Sequence, residues 1–428
     1  MKKIYAIIAL ASFSLSLLAT EARIESMGSN GDFIKDDISV FDNPATAFGF
    51  GNLLVGSLGK VEKSNDRWAR SEQWFGGWAV YPLDSSFKIV AGATVNRPLK
   101  AIRKYRQLDE SNFFTVFNGG NKFNMPGQMY VDYLEALKMG EPIGNVYGFG
   151  GLSWNNEFNV AVGGRYAGSN MDGGDSGTRN MTIAGGNLGL TYNVAPLLLE
   201  ANFNYDMFSL TRKLGTALDA SYDESSKNVL MRAFYSLSSK NTLVPVLGLD
   251  LSSMFGVSNR DLSLGMGFNR DLFKGFIWAG IKYVNHSAEY PEYVGNTNEF
   301  IYSSNAADTS TATKYPSGVS ESSHKIVYSF GVEKKMLWDW FTLRVGGNKV
   351  FEYLTKKKTK TETNPEYTLE KGLYERDVDA VGWGIAIGTP DDRLKFDITF
   401  SEAFPNSNIF AGGENGIIDS RISAALKF

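Results

Sequence analysis

The sequence predicts an all-β chain, a transmembrane up-and-down antiparallel β-barrel of 14 to 16 strands with long loops on one rim. Three observations predict it. An export-type leader opens the chain, runs of alternating polarity recur from residue 53 onward with short and long connections in turn, and the last run ends on an aromatic residue, Phe428.

The leader comes first. Lys2 and Lys3 precede the apolar stretch "IYAIIALASFSLSLLA", and small residues stand at Ala19 and Ala22. A basic start, a short apolar run and small exit residues make a secretory signal. About 16 apolar residues fall short of the roughly 20 that a spanning helix requires. The expected organisation is a signal peptide over 1–22, an N-terminal segment over 23–52 and a barrel over 53–428.

The wall follows. Sixteen runs alternate with period two. In "GIIDSRISAALKF", Ile418, Ile422, Ala424, Leu426 and Phe428 share one face, and Asp419, Arg421, Ser423 and Lys427 the other. In "LEANFNYDM", Leu199, Ala201, Phe203, Tyr205 and Met207 oppose Glu200, Asn202, Asn204 and Asp206. Short links such as "NNE", "NVAP" and "PDDR" alternate with longer ones, of which 96–144, 286–322 and 351–378 are expected to be long loops. A soluble β-sandwich shares the alternation. The export signal and the strict order of connections favour the barrel, because lipid offers no solvent to an open sheet edge and the sheet must close. Trp74, Trp78, Tyr81, Trp154, Tyr192, Trp338 and Trp340, near strand ends, suit interfacial girdles or core packing.

Composition narrows the function. A formal charge of −3 with no concentrated basic surface argues against nucleic acid, and the absence of cysteine removes thiolate chemistry. A histidine-based metal site needs clustered histidine and acidic ligands, and neither histidine, His286 nor His324, has another histidine within helical or hairpin spacing, so no metal or other cofactor is expected. "HSAE" at His286 could supply a histidine, a serine and a carboxylate, but a triad is recognised by geometry and an enzyme is not expected. The acidic pieces "MDGGDSG" and "DASYDES" and the basic run "KKKTK" read as solvated loops. One helix is expected inside the longest loop. In "MPGQMYVDYLEALKMG", Pro126 and Gly140 mark its ends, and Tyr130, Leu134 and Leu137 form an apolar stripe that is a candidate ligand contact.

The stretch "ARIESMGSNGDFIKDDISVFDNPATAFGFGN" resembles the N-terminal region of the FadL/TodX (OMPP1) family of hydrophobic-compound transporters and of related PorV-like barrels. Gly28, Asp36, Asp37, Ser39, Phe41, Asn43, Pro44 and Ala45 carry the resemblance. It implies that this segment is a hatch in the barrel lumen and that the chain is a passive outer-membrane channel for hydrophobic small molecules. Two other functions stay open: a PorV-like docking or secretion-partner barrel, and a surface lipid hydrolase using His286. Terminal Phe428 resembles the assembly signal of outer-membrane barrels, so the expected partners are outer-membrane lipid, the barrel-assembly machinery and a hydrophobic small molecule. The expected location is the bacterial outer membrane. Asp36 and Asp37 are expected to meet inward cations such as Arg421 and Lys427.

Overall fold

A computed structural model describes residues 21–28, 31–64, 67–71, 73–97, 145–172, 178–214, 218–254, 257–290, 319–336, 340–358, 367–376, 382–389, 393–400 and 420–428. The expected signal peptide and the loop helix with Tyr130, Leu134 and Leu137 lie outside the described residues, apart from Glu21 and Ala22.

A helix α1 (Glu21–Ser26), two 3-10 helices η1 (Asp37–Phe41) and η2 (Pro44–Thr46), and a single turn α2 (Ala47–Phe50) precede the sheet. The strands are β1 (Leu53–Ser64), β2 (Arg67–Ser71), β3 (Trp74–Pro82), β4 (Phe87–Val95), β5 (Val146–Trp154), β6 (Phe158–Asp172), β7 (Thr178–Val194), β8 (Leu197–Leu214) and β9 (Leu218–Ser236). They continue as β10 (Asn241–Met254), β11 (Val257–Leu272), β12 (Gly275–Tyr290), β13 (Val319–Lys335), β14 (Phe341–Lys358), β15 (Tyr367–Arg376), β16 (Gly382–Gly388), β17 (Leu394–Phe400) and β18 (Ser420–Lys427).

Neighbours pair antiparallel in chain order, and β1 pairs β18, with Leu53 opposite Lys427 and Val61 opposite Ser420, so the sheet closes on itself. Eighteen elements make a wall of sixteen strands. The difference lies in two interrupted strands. β1 pairs β2 from Ser64 to Lys60 and then β3 from Ser57 to Leu53, so β2 and β3 form one wall strand. β14 likewise pairs β15 from Lys358 to Val350 and then β16 from Gly346 to Phe341. The third expected long loop, 351–378, is thereby corrected. Most of it is the upper half of a hairpin, with Lys356, Lys357 and Lys358 of the basic run inside β14. The acidic piece "DASYDES" lies in β9 rather than in a loop.

The outer face is apolar. Leu152, Val162, Leu264, Phe330 and Tyr166 are all exposed there, Leu264 to 63%. A continuous apolar exterior of this extent is tolerated only against lipid. The lumenal face carries the polar half of each alternation, buried: Glu200, Asn202, Asn204 and Asp206 on β8, and Arg421 and Ser423 on β18. This is the wall of a membrane-embedded β-barrel. Among the described residues no helix is long and apolar enough to cross a membrane. Tyr81, Trp154, Tyr192 and Trp340 are exposed near strand ends, as a girdle requires, whereas Trp74 and Trp78 point inward and are buried.

Candidate functional site: the lumenal segment

The described residues of 21–52 lie inside the ring. Their contacts run round the whole wall, with α1 against β14, β16, β17 and β18, and η2 against β5, β6 and β7. A segment that touches inward faces on opposite sides of a closed sheet crosses its lumen.

The wall makes room for it with glycine. A Cβ at Gly346 would stand 2.1 Å from the Met27 carbonyl oxygen, and one at Gly382 2.5 Å from that of Glu25. At Gly267 and Gly280 a Cβ would run into the Phe33 ring at 2.6 and 2.5 Å. At Gly189 it would meet Asn43 Oδ1 at 2.1 Å and Pro44 Cδ at 2.8 Å. These positions face inward, so glycine there sets the bore of the barrel at the segment's level.

On one side the segment is held by charge. Arg23 Nε stands 2.7 Å from Glu333 Oε2, which also receives Arg344 Nε at 2.6 Å. Arg344 Nη1 reaches Asp397 Oδ1 at 2.5 Å, and both side chains are fully buried. Arg421 pairs with Glu21 through Nη1 and with Glu25 through Nε at 3.0 Å. Glu21 also accepts from Trp74 Nε1 at 3.1 Å, and the Ala22 carbonyl accepts from Thr399 Oγ1. The helix therefore engages the wall from Glu21 onward.

The middle of the segment is held mainly through its own carbonyls. Arg232 Nη1 donates to Gly31 at 2.7 Å and to Ile34 at 3.1 Å, and Asn269 Nδ2 donates to Phe33 at 2.8 Å. Asp32 pairs with Lys282 at 2.6 Å.

Of the residues singled out by resemblance, Gly28 lies against β14 and Asp36 beside Arg23, while Phe41, Asn43, Pro44 and Ala45 fall on the remaining arc. Gly28 has φ +61°, and a Cβ there would sit 2.4 Å from Gly347. Asp36 caps η1 by accepting from Ile38 N–H at 2.8 Å, and Ser39 Oγ donates to the Asp36 carbonyl at 2.5 Å. Asn43 caps η2 by accepting from Ala45 N–H at 3.2 Å. Its Nδ2 donates across to the wall, to Leu190 at 3.3 Å and Ala201 at 3.2 Å. Pro44 occupies the first position of η2, where its missing N–H costs nothing, and Ala45 is fully buried. The wall answers: Asn187 Nδ2 donates to the carbonyls of Phe41 at 3.0 Å and Asp42 at 3.2 Å. Phe41 itself is buried against Trp74, Trp78 and Tyr147. Phe428 ends the chain exposed, its N–H bonded to the Asn52 carbonyl at 3.4 Å.

The expected partners of the two acids are corrected. Arg421 is taken by Glu21 and Glu25, Lys427 is exposed at the rim, and Asp36 lies 3.7 Å from Arg23 of its own segment. Sequence reading missed this because Arg23, the nearer cation, is local. Both acids are buried. Burial raises Asp36, against the pull of Arg23, and burial with the Asp36 carboxylate beside it holds Asp37 well above the usual carboxylate range. Burial lowers the neighbouring Lys35 ammonium to about 7.

The histidines sit inside strands rather than at loop ends. His286 faces the lumen, with Nδ1 2.5 Å from Asp261 Oδ1, while Ser287 and the exposed Glu289 fall on the opposite face by strand alternation. The three residues of "HSAE" therefore do not meet. His324 stacks on Tyr283, with ring centroids 6.0 Å apart. His286 is instead one rung of a polar row, Asn187, Asn204, Asn228, Asp250, Asp261, His286 and Ser323, paired strand to strand from β7 to β13. Among the described residues no group of three or more histidine and acidic side chains is placed to hold a metal ion.

No family model matches the chain, and no curated protein sequence does. Among solved structures it is similar to the toluene transporter TodX of Pseudomonas putida, at 12% identity and TM-score 0.36, with 96% of each chain covered. It is similar to a deltaS2 mutant of the TodX monoaromatic hydrocarbon channel, at 11% identity and TM-score 0.40, covering 97% of this chain and 100% of that one. It is also similar to OmpT, an outer membrane protein of Vibrio cholerae, at 12% identity and TM-score 0.34, covering 88% and 97%.

Proposed function

We propose that the chain is a passive outer-membrane channel for hydrophobic small molecules, with residues 21–52 as its hatch. The observation that carries this reading is the lumenal segment itself, which crosses the bore and rests on wall positions kept free of side chains. A segment so placed obstructs the bore until it moves. A hydrophobic solute is favoured because the segment's far arc lies in an apolar cluster of Ile38, Val40, Phe41, Trp74, Trp78 and Phe149. Further along the lumenal face, Ala167, Ile183 and Phe208 stand side by side on β6, β7 and β8, all inward and buried. Displacing an apolar element by an apolar solute exchanges like contacts, at about 25 cal/mol per Å² on either side of the exchange.

The test is uptake of radiolabelled toluene into liposomes holding the purified protein, with and without residues 28–45. Saturable uptake by the intact chain and a raised, non-saturable leak in the deletion are expected. Equal permeability of both to toluene and to a small ion would overturn the hatch reading.

A further inference from the structure

We propose that closing the hatch binds one proton, held between the carboxyl groups of Asp36 and Asp37, and that the segment surrenders this proton to solvent when it leaves the wall. This goes beyond the channel reading and rests on it only for the movement of the segment.

The charges at the docked segment do not balance. Seven ionisable side chains meet there, all buried: Arg23, Asp36 and Asp37 of the segment, and Glu333, Arg344, Lys395 and Asp397 of the wall. Glu333 takes Arg23 at 2.7 Å and Arg344 at 2.6 Å, Arg344 reaches Asp397 at 2.5 Å, and Arg23 stands 3.7 Å from Asp36. Lys395 faces inward two residues before Asp397 on β17. The wall's share is neutral, two acids against two cations. The segment's share is two acids against one cation, so docking it fully ionised would seal an unpaired negative charge away from water. One proton removes the excess.

The surrounding groups do not supply the missing cation. Arg421 and Arg97 are engaged by Glu21 and Glu25 of α1, and Lys325 by Glu352 at 3.1 Å. Lys35 turns to the opposite arc, its Nζ 5.0 Å from the Phe234 centroid and its charged neighbours Glu200 and Arg232. Asp42, half-buried, lies toward Tyr147.

The two carboxyl groups locate the proton. Asp36 and Asp37 are hydrogen-bonded side chain to side chain. An ionised carboxylate only accepts, so this bond requires a proton on one of the two. Asp36 is the better anion, because it lies beside Arg23 and accepts from Ile38 N–H at 2.8 Å. Asp37 is therefore the donor, and burial beside that carboxylate holds it well above the usual carboxylate range. Once the segment is in water both groups ionise and the proton is lost.

The experiment follows maleimide labelling of a single Thr46→Cys, at a buried site of the docked segment, in the purified full-length barrel from neutral to alkaline pH. A Lys35→Met background removes the other titration, and each rate is divided by that of a free thiol at the same pH. Loss of one proton on release is expected to raise the corrected rate by about tenfold per pH unit above the docked value. Asp37→Asn leaves three acids against three cations and is expected to give a flat profile. Asp36→Asn lets Asp37 ionise against Arg23 and is expected to pull the rise to lower pH. A corrected rate that ignores pH in the parent chain, or that climbs as steeply in Asp37→Asn, would overturn the proposal. Should the variants lose heat-modifiable gel mobility, infrared difference spectroscopy reads the parent chain directly. A carboxylic-acid carbonyl band at neutral pH that disappears in alkali as labelling quickens is expected, and its absence overturns the proposal. Liposome uptake keeps the two readings apart. A chain that transports nothing yet shows the band and the slope removes the channel and leaves the proton, and a chain that transports while its labelling ignores pH removes the proton alone.

Discussion

The lumenal segment is fastened to its wall by two unlike arcs. On the arc of β13 to β18, Arg23, Glu21 and Glu25 enter a buried network with Glu333, Arg344, Asp397 and Arg421. On the arc of β3 to β8, Phe41 sits among rings and Asn43 bonds to wall carbonyls, with no ion pair to the wall from either residue. The physics of release differs. A buried ion pair broken from one side leaves a bare charge, a large penalty that does not grow back through solvent. An apolar contact gives way to another at little net cost. In the proposed hatch, the charged arc is the tether and the aromatic arc the edge that opens.

Substitutions can break this contrast, the largest effect coming from the tether. Arg344→Met removes the guanidinium that bridges Glu333 and Asp397 in the wall, leaving Glu333 to Arg23, and is expected to cost about 3–5 kcal/mol, read as a lower urea midpoint for loss of heat-modifiable mobility. Arg23→Met leaves Glu333 held by Arg344 and is expected to cost about 1.5–3 kcal/mol of docking. Because the chain has no cysteine, a single Thr46→Cys reports docking directly, and maleimide labelling of that buried site is expected to quicken in the Arg23→Met background.

On the opening edge, Asn43→Ala removes a cap and two wall bonds, an expected loss of about 1–2 kcal/mol by the same labelling assay. Asp32→Asn, which breaks a pair that is 15% exposed on both sides, is expected to cost about 1 kcal/mol or less.

Acidity sharpens the comparison further. Asp37 is raised when docked, so the docked segment keeps a proton that the released segment surrenders. Its contribution to docking is full below the ordinary carboxylate range and is lost as pH rises through the docked value. Lys35 acts in reverse: lowered to about 7, it contributes above its ordinary value and the contribution is lost as pH falls through about 7. Thr46→Cys labelling, measured against a free thiol at each pH, is therefore expected to quicken as pH rises through the docked value of Asp37 and as pH falls toward about 7 through Lys35. Asp37→Asn removes the first limb and Lys35→Met the second.

The wall was legible in the sequence because lipid outside and a polar bore inside impose period two on every strand. Leu199 to Met207 and Ile422 to Phe428 fall on the faces that alternation assigns. It failed where both faces are polar. β9 begins at Leu218, ten residues before the alternating run at Asn228, since Glu224 to Lys227 is polar at every position and interrupts the alternation. The segment's partners were illegible because closure and shear decide which wall residue faces Arg23 or Asn43, and both are separated from those partners by more than a hundred residues. One signal was present and unread. Gly267, Gly280, Gly331 and Gly346 occupy inward positions, where a barrel without a lumenal segment has no need of glycine.

That glycine footing offers the most direct test of the central claim that residues 21–52 close the bore. Gly346→Val places side-chain atoms where the Met27 backbone lies and leaves the outer face of β14 untouched. In planar bilayers the unaltered chain is expected to show a low, flickering conductance, and Gly346→Val a larger and sustained one with the same heat-modifiable mobility. A folded Gly346→Val barrel whose conductance matches the unaltered chain would contradict the account.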